Sequence, residues 1–131
     1  MNESTKSTPL LTWLRLKAFQ SVVFKHCDRA TIGIPDASLT WQNSTTWMEF
    51  KLFRPGKKWH GYVDFEAIAQ KHPVQYEVAK RLATVSKCYY VVWVVRSKKI
   101  WVWNPRTKYT YVFHDIPSLG AAILDFHNGG E

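Results

Sequence analysis

Gly33-Ile34-Pro35-Asp36, a turn ending on a carboxylate, is followed by Trp47-Met48-Glu49-Phe50-Lys51-Leu52, in which polar and apolar residues alternate. Alternation with a period of two marks a strand with two distinct faces. Trp47, Glu49 and Lys51 share one face; Met48, Phe50 and Leu52 share the other. Pro35 pushes Ile34 out of helical space and presets the backbone where Asp36 is aimed. Thr31 to Trp41 therefore reads as extended, Gln42-Asn43-Ser44 as a turn, and Thr45 to Phe53 as a second strand beside the first.

Upstream, residues 1–7 read as a polar tail. Ser7 or Thr8 then caps a helix with Pro9 in its first turn, where a missing N–H costs nothing. Leu11, Leu14, Ala18 and Val22 recur at helical spacing and carry that helix to about Lys25. Downstream, Arg54-Pro55-Gly56-Lys57-Lys58 breaks the second strand and opens a basic excursion ending near His72. Pro73 starts a second helix with Val74, Val78, Leu82 and Val85 as its buried stripe. Cys88 to Arg96 is apolar on both faces, as in a central strand covered on both sides. Ile100 to Trp103 and Tyr109 to Phe113 are further strands. A last helix runs from about Ser118, with Leu119, Ala122, Ile123 and Phe126 inward and Gly129-Gly130 at its end. The expected fold is an α/β or α+β domain, a central mixed sheet flanked by helices, spanning residues 1–131.

Composition narrows the class of partner. The 131 residues are 46% hydrophobic and 21% charged, which argues against disorder. Lys and Arg outnumber Asp and Glu by 18 to 10, for a net charge of +8. That balance favours a polyanionic partner, nucleic acid being the usual one, although a basic chain can also simply be soluble. The apolar run from Tyr89 to Val95 falls far short of the ~20 residues needed to span a bilayer. No secretory segment opens the chain, so no membrane partner and an intracellular, cytoplasmic location are expected. Cys27 and Cys88 lack the paired spacing of a zinc site, and the five histidines do not cluster.

Asp36, Glu49 and Lys51 suit the cutting of a phosphodiester. Such a reaction needs a nucleophilic water near neutral pH and charge stabilisation on the phosphorus oxygens. Mg²⁺ takes one or two protein carboxylates and keeps its other positions for water and phosphate. Asp36 and Glu49 supply the carboxylates, the carbonyl of Phe50 a third oxygen, and Lys51 a charge on the same strand face. By itself, Glu-x-Lys is often no more than the solvated face of a strand.

In order and context these residues resemble the PD-(D/E)XK, or restriction-endonuclease-like, nucleases. The likeness is to small phage-type members grouped with Holliday-junction resolvase-like and VRR-NUC-like proteins. It rests on Pro35, Asp36, Trp47, Glu49 and Lys51, and extends to Gln75 near the start of the next helix. The resemblance implies a core of helix, three antiparallel strands, helix and a further strand. It also implies Mg²⁺ or Mn²⁺ on Asp36 and Glu49, a homodimer, and cleavage of DNA, structure-selective (branched or junction DNA) or nicking. Gln75 is then placed to orient the attacking water or a phosphate; its plain alternative is a surface Gln. Many relatives add a glutamate early in the first helix. Here the helix from Pro9 to Lys25 carries no acid, so either the helix begins earlier and recruits Glu3 or the site lacks that ligand, with Asp28 and Asp64 poorer substitutes.

Arg54, Lys57, Lys58 and Trp59 directly follow the candidate strand and are expected to contact DNA. The cations would neutralise phosphates, and Trp59 or Tyr62 would stack on an exposed base. Lys80, Arg81, Lys87, Arg96, Lys98 and Lys99 form a second basic zone. Trp93, Trp101 and Trp103 fit a core or a dimer interface better than a base platform. A non-catalytic DNA- or protein-binding module on the same scaffold is the alternative reading.

Overall fold

The computed structural model describes residues 3–26 and 33–131. The element order is α1 (Glu3–Lys17), β1 (Val22–Lys25), β2 (Ala37–Trp41), β3 (Ser44–Phe53), α2 (Phe65–Gln70), α3 (Pro73–Val85), β4 (Lys87–Val94), β5 (Ile100–Trp103), β6 (Thr110–Phe113) and α4 (Ile116–His127). The six strands form one mixed sheet in sequence order. All neighbours pair antiparallel except β3 and β4, which run parallel, as a crossover through α2 and α3 requires. The chain thus has the expected order of helix, three antiparallel strands, helix and further strand.

Strand β4 lies in the middle and is buried along nearly its whole length. Its alternate side chains feed two cores. Tyr89, Val91 and Trp93 face α1 and α4, where Leu10, Leu11, Leu14, Leu119 and Ile123 are all but fully buried. Cys88, Tyr90, Val92 and Val94 face α2 and α3 through Phe65, Ala69, Tyr76 and Ala79. Each aliphatic side chain so buried contributes about 1.5–3 kcal/mol. Close packing of α1 on α4 depends on Gly120, because a Cβ there would lie 2.2 Å from the Trp13 ring.

Several sequence expectations are corrected. Residues 3–7 are not a tail: α1 begins at Glu3, Ser7 is buried, and the Thr8 hydroxyl donates to the Ser4 carbonyl at 2.8 Å. Pro9 lies inside this helix rather than in its first turn. The helix also stops at Lys17, not Lys25. Gln20 adopts φ 62° in the turn that follows, and Val22 is on an exposed edge strand, so its helical spacing was coincidental. The basic excursion contains α2, capped by the Asp64 carboxylate on the Ala67 N–H at 3.1 Å.

The stripe of α3 is rotated as well. Tyr76, Ala79 and Ala83 face the sheet, while Val74 and Val85 are exposed. Two alanines let the helix approach β4 closely, which the bulkier valines would prevent. The last helix begins at Ile116, with Asp115 as its cap. Residues 27–32, including Cys27, Asp28 and the expected start of extended chain at Thr31, lie outside the described residues; Cys88 is a buried free thiol.

Candidate active site

Strand β2 accompanies β3 only as far as the Ala37–Met48 pair. Beyond it, among the described residues, the edge of β3 has no strand neighbour on that side, and side chains from outside the sheet close it. The Phe50 N–H donates to Asp36 Oδ2 at 2.9 Å, and the Asp36 N–H donates to Glu49 Oε1 at 3.1 Å. This reciprocal pair clamps the Gly33–Asp36 turn onto β3. Gly33 adopts φ +90°, and a Cβ there would lie 2.9 Å from Val78 on α3, so the turn needs glycine for both conformation and space. Two residues further along β3, the Leu52 N–H donates to Glu3 Oε2 at 3.3 Å. Residues two apart point to the same side of a strand, so Asp36 and Glu3 cap successive donors of one edge. The carbonyl of Phe50 faces that edge with its N–H.

Glu49 is 1% exposed. Burial, then the charge of Asp36 and the hydrogen bond between the two carboxyl groups, pushes its carboxyl up to about 9, against the opposing pull of Lys51. Its Oε2 is buried without a hydrogen-bond donor; Lys51 Nζ lies 3.4 Å away but is not aligned for a bond. The lysine is instead held by Gln75 on α3, whose Oε1 accepts from Nζ at 2.8 Å. Burial also raises Glu3, a shift that Lys51 opposes.

These groups line a cleft of about 820 Å³ that takes in Glu3, Asp36, Glu49, Lys51 and Gln75 at one end. The rest of its wall includes Arg54, Trp59, Tyr62, Ile68, Lys71 and His72. The indole N–H of Trp59 donates to the Tyr62 carbonyl at 2.5 Å, its backbone N–H to the Gly56 carbonyl at 3.1 Å, and its ring lies 5.8 Å from that of Phe53. Lys57 and Lys58 are exposed on the preceding turn and do not line the cleft.

The donor set suits a hard divalent cation. Two adjacent carboxylates, a strand carbonyl and an orphaned buried oxygen at Glu49 Oε2 are the oxygen ligands such an ion prefers. Among the described residues, no three His, Cys, Asp or Glu side chains gather closely enough to hold a metal by themselves. Glu3, which lines the same cleft, is turned to the Leu52 N–H.

The second basic zone divides. Lys80 and Arg81 pair with Glu77 at 3.1 and 3.8 Å. Lys87 donates to the carbonyls of Phe126 and His127 at the end of α4 (2.6 and 2.7 Å). Arg96, Lys98 and Lys99 occupy the turn after β4, tied to the end of β3 by the Val95 N–H on the Phe53 carbonyl at 2.9 Å. Trp93 and Trp103 are core residues, and Trp101 is half-buried.

Sequence reasoning passed over Ile68, Lys71 and His72 because it passed over α2. The signal was present: Asp64 followed by Phe65, Ile68 and Ala69 is a cap and an apolar stripe at helical spacing.

No family model matches the chain, and no curated protein matches it. Among solved structures, the chain is similar to Hjc, a Holliday junction resolvase from the archaeal hyperthermophile Archaeoglobus fulgidus. The superposition covers 98% of this chain and 99% of that one, at 14% identity and a TM-score of 0.48. No described helix is long and apolar enough to cross a membrane.

Proposed function

We propose that the chain is a metal-dependent endonuclease that hydrolyses phosphodiester bonds in DNA. The observation that carries this reading is the convergence of Asp36, Glu49 and Lys51 in one cleft, with a buried Glu49 oxygen lacking a donor. Asp36, Glu49 and the Phe50 carbonyl would hold Mg²⁺ or Mn²⁺. The ion, when bound, supplies positive charge towards the phosphoryl oxygens and acidifies a water.

Lys51, held by Gln75, presents its ammonium to a non-bridging phosphoryl oxygen and stabilises the charge that grows there. Water attacks phosphorus and gives up a proton to solvent, the bond to one sugar oxygen breaks, and that oxygen takes a proton from solvent and leaves as a hydroxyl. Arg54 and Lys71 on the cleft wall, with Lys57 and Lys58 beside it, neutralise neighbouring phosphates. The finer proposal is branched or nicked DNA cut by a pair of chains, since two cuts at a junction need two sites.

The test is cleavage of supercoiled plasmid and of branched oligonucleotides in Mg²⁺ or Mn²⁺. Wild type is expected to cut, and Asp36→Asn and Lys51→Ala to fall at least about a hundredfold. Equal cleavage by all three would trace the activity to a contaminant, and no cleavage of any substrate would sink the reading. The placement of Glu3 on the Leu52 N–H favours the second reading, a DNA-binding module without catalysis. Salt-sensitive binding indifferent to divalent cations would select it.

A further inference from the structure

The cleft is much larger than hydrolysis at one phosphate requires. Most of the ~820 Å³ lies beyond that need, within the range of sites that enclose a small organic group.

The wall around this space carries Phe53, Trp59, Tyr62, Ala67 and Ile68, with the Asp64 carboxylate among them already engaged in capping α2. Trp59 is fixed by its two hydrogen bonds and by contact with Phe53, so a flat group meets a surface already in place. Tyr62 stands at the mouth, 70% exposed, without a packed neighbour demanding its ring. Lys71 brings a cationic group to the same wall, with the His72 imidazole beside it. A planar apolar ring tethered to an anion fits this arrangement. In stacked duplex DNA only phosphates and sugars face outward, and the bases do not reach such a wall.

We infer that the cleft receives a nucleobase turned out of the helix, and that the preferred substrate is DNA with an unpaired nucleotide next to the bond that is cut. This rests on the nuclease reading above and names its substrate class. The base enters between Tyr62 and Trp59 over Ile68, while its phosphate lies towards Asp36, Glu49 and Lys51. Selectivity follows because extruding a base costs least where the base is already unpaired.

The experiment uses two fluorescein-labelled duplexes, identical except for one unpaired adenine, and measures binding by anisotropy in Ca²⁺ and cleavage in Mg²⁺ or Mn²⁺. Wild type is expected to bind the bulged duplex about tenfold more tightly, the scale of stacking one base on an aromatic ring. Tyr62→Ala, which removes an exposed ring, and Ala67→Trp, which fills the cleft from its rim, are each expected to erase that advantage. Tyr109→Ala, another exposed aromatic but outside the cleft, should retain it. Circular dichroism confirms that each variant is folded. Equal affinity for the two duplexes, or an advantage that survives both substitutions, would overturn the inference. A chain that prefers the bulge but cuts neither duplex keeps the base site and loses the nuclease reading. A chain that cuts both duplexes with equal affinity does the reverse.

Discussion

Replacing Glu49 by Gln should stabilise the metal-free chain at pH 8 and leave it nearly unchanged at pH 5. Glu49 is buried and its carboxyl is raised to about 9, against about 4.5 for an unperturbed glutamate. Between those values the native chain keeps this proton while the unfolded chain has lost it. The stability the proton provides is complete below about pH 4.5 and is lost as pH rises through about 9. Each pH unit in that window costs about 1.4 kcal/mol, so raising pH from 6 to 8 costs about 2.7 kcal/mol from this residue alone. Gln presents a neutral group of the same shape and does not titrate. Its oxygen still accepts from the Asp36 N–H.

The assay is urea denaturation of both chains in EDTA at several pH values, with the difference in unfolding free energy plotted against pH. Taking the difference removes the contributions of Glu3 and the other titrating groups. A rising advantage for Glu49→Gln of about 1.4 kcal/mol per unit is expected, equivalent to about 10 °C in Tm across two units. A flat difference, or one that favours wild type at pH 8, would refute the account of Glu49 as a carboxyl whose charge is unsupported without a cation. Divalent cation added at pH 8 should reduce the advantage, since it supplies the missing countercharge.

Two further outcomes follow from the packing. Gln75→Ala removes the acceptor that holds Lys51 Nζ and should slow single-turnover cleavage about tenfold; an unchanged rate would leave Gln75 as a plain helix residue. Gly120→Ala places a methyl group against the Trp13 ring and should destabilise the fold by about 1–3 kcal/mol in denaturant titration, whereas an unaltered midpoint would mean that α1 and α4 separate freely.

The period-two pattern from Trp47 to Leu52 fixed strand β3 and its two faces because each face is dictated by burial: Met48 and Phe50 in one core, Glu49 and Lys51 towards the cleft. The central position of β4 was legible for the same reason. Helix boundaries were less so. Val22 continued the spacing of α1, yet it belongs to a strand whose edge is exposed, and spacing says nothing about where a turn intervenes. Pro9 suggested a helix start because proline is tolerated there, but Ser4, Ser7 and Thr8 support a turn of helix before it. That shift brought Glu3 from an expected tail to the wall of the cleft. On α3, the valine stripe was the more hydrophobic choice, but the sheet takes Tyr76, Ala79 and Ala83 because close approach favours small residues. The clasp between Asp36 and Glu49 was partly readable as two carboxylates on neighbouring strands. Lys51 on Gln75 was not, because their distance depends on how α3 returns over the sheet.

The end of β2 at Ala37 leaves a notch in the sheet, and acidic side chains fill it. An open strand edge is a template for other chains, and here the Phe50 and Leu52 donors are withdrawn from that role by Asp36 and Glu3. The acids that define the cleft are therefore also its protection against self-association. Alanine at position 36 would remove the proposed ligand and uncover a length of β3 at once, so a loss of cleavage in that variant would not separate the two effects. Asparagine keeps an oxygen for the Phe50 N–H while removing the charge, which separates the two roles.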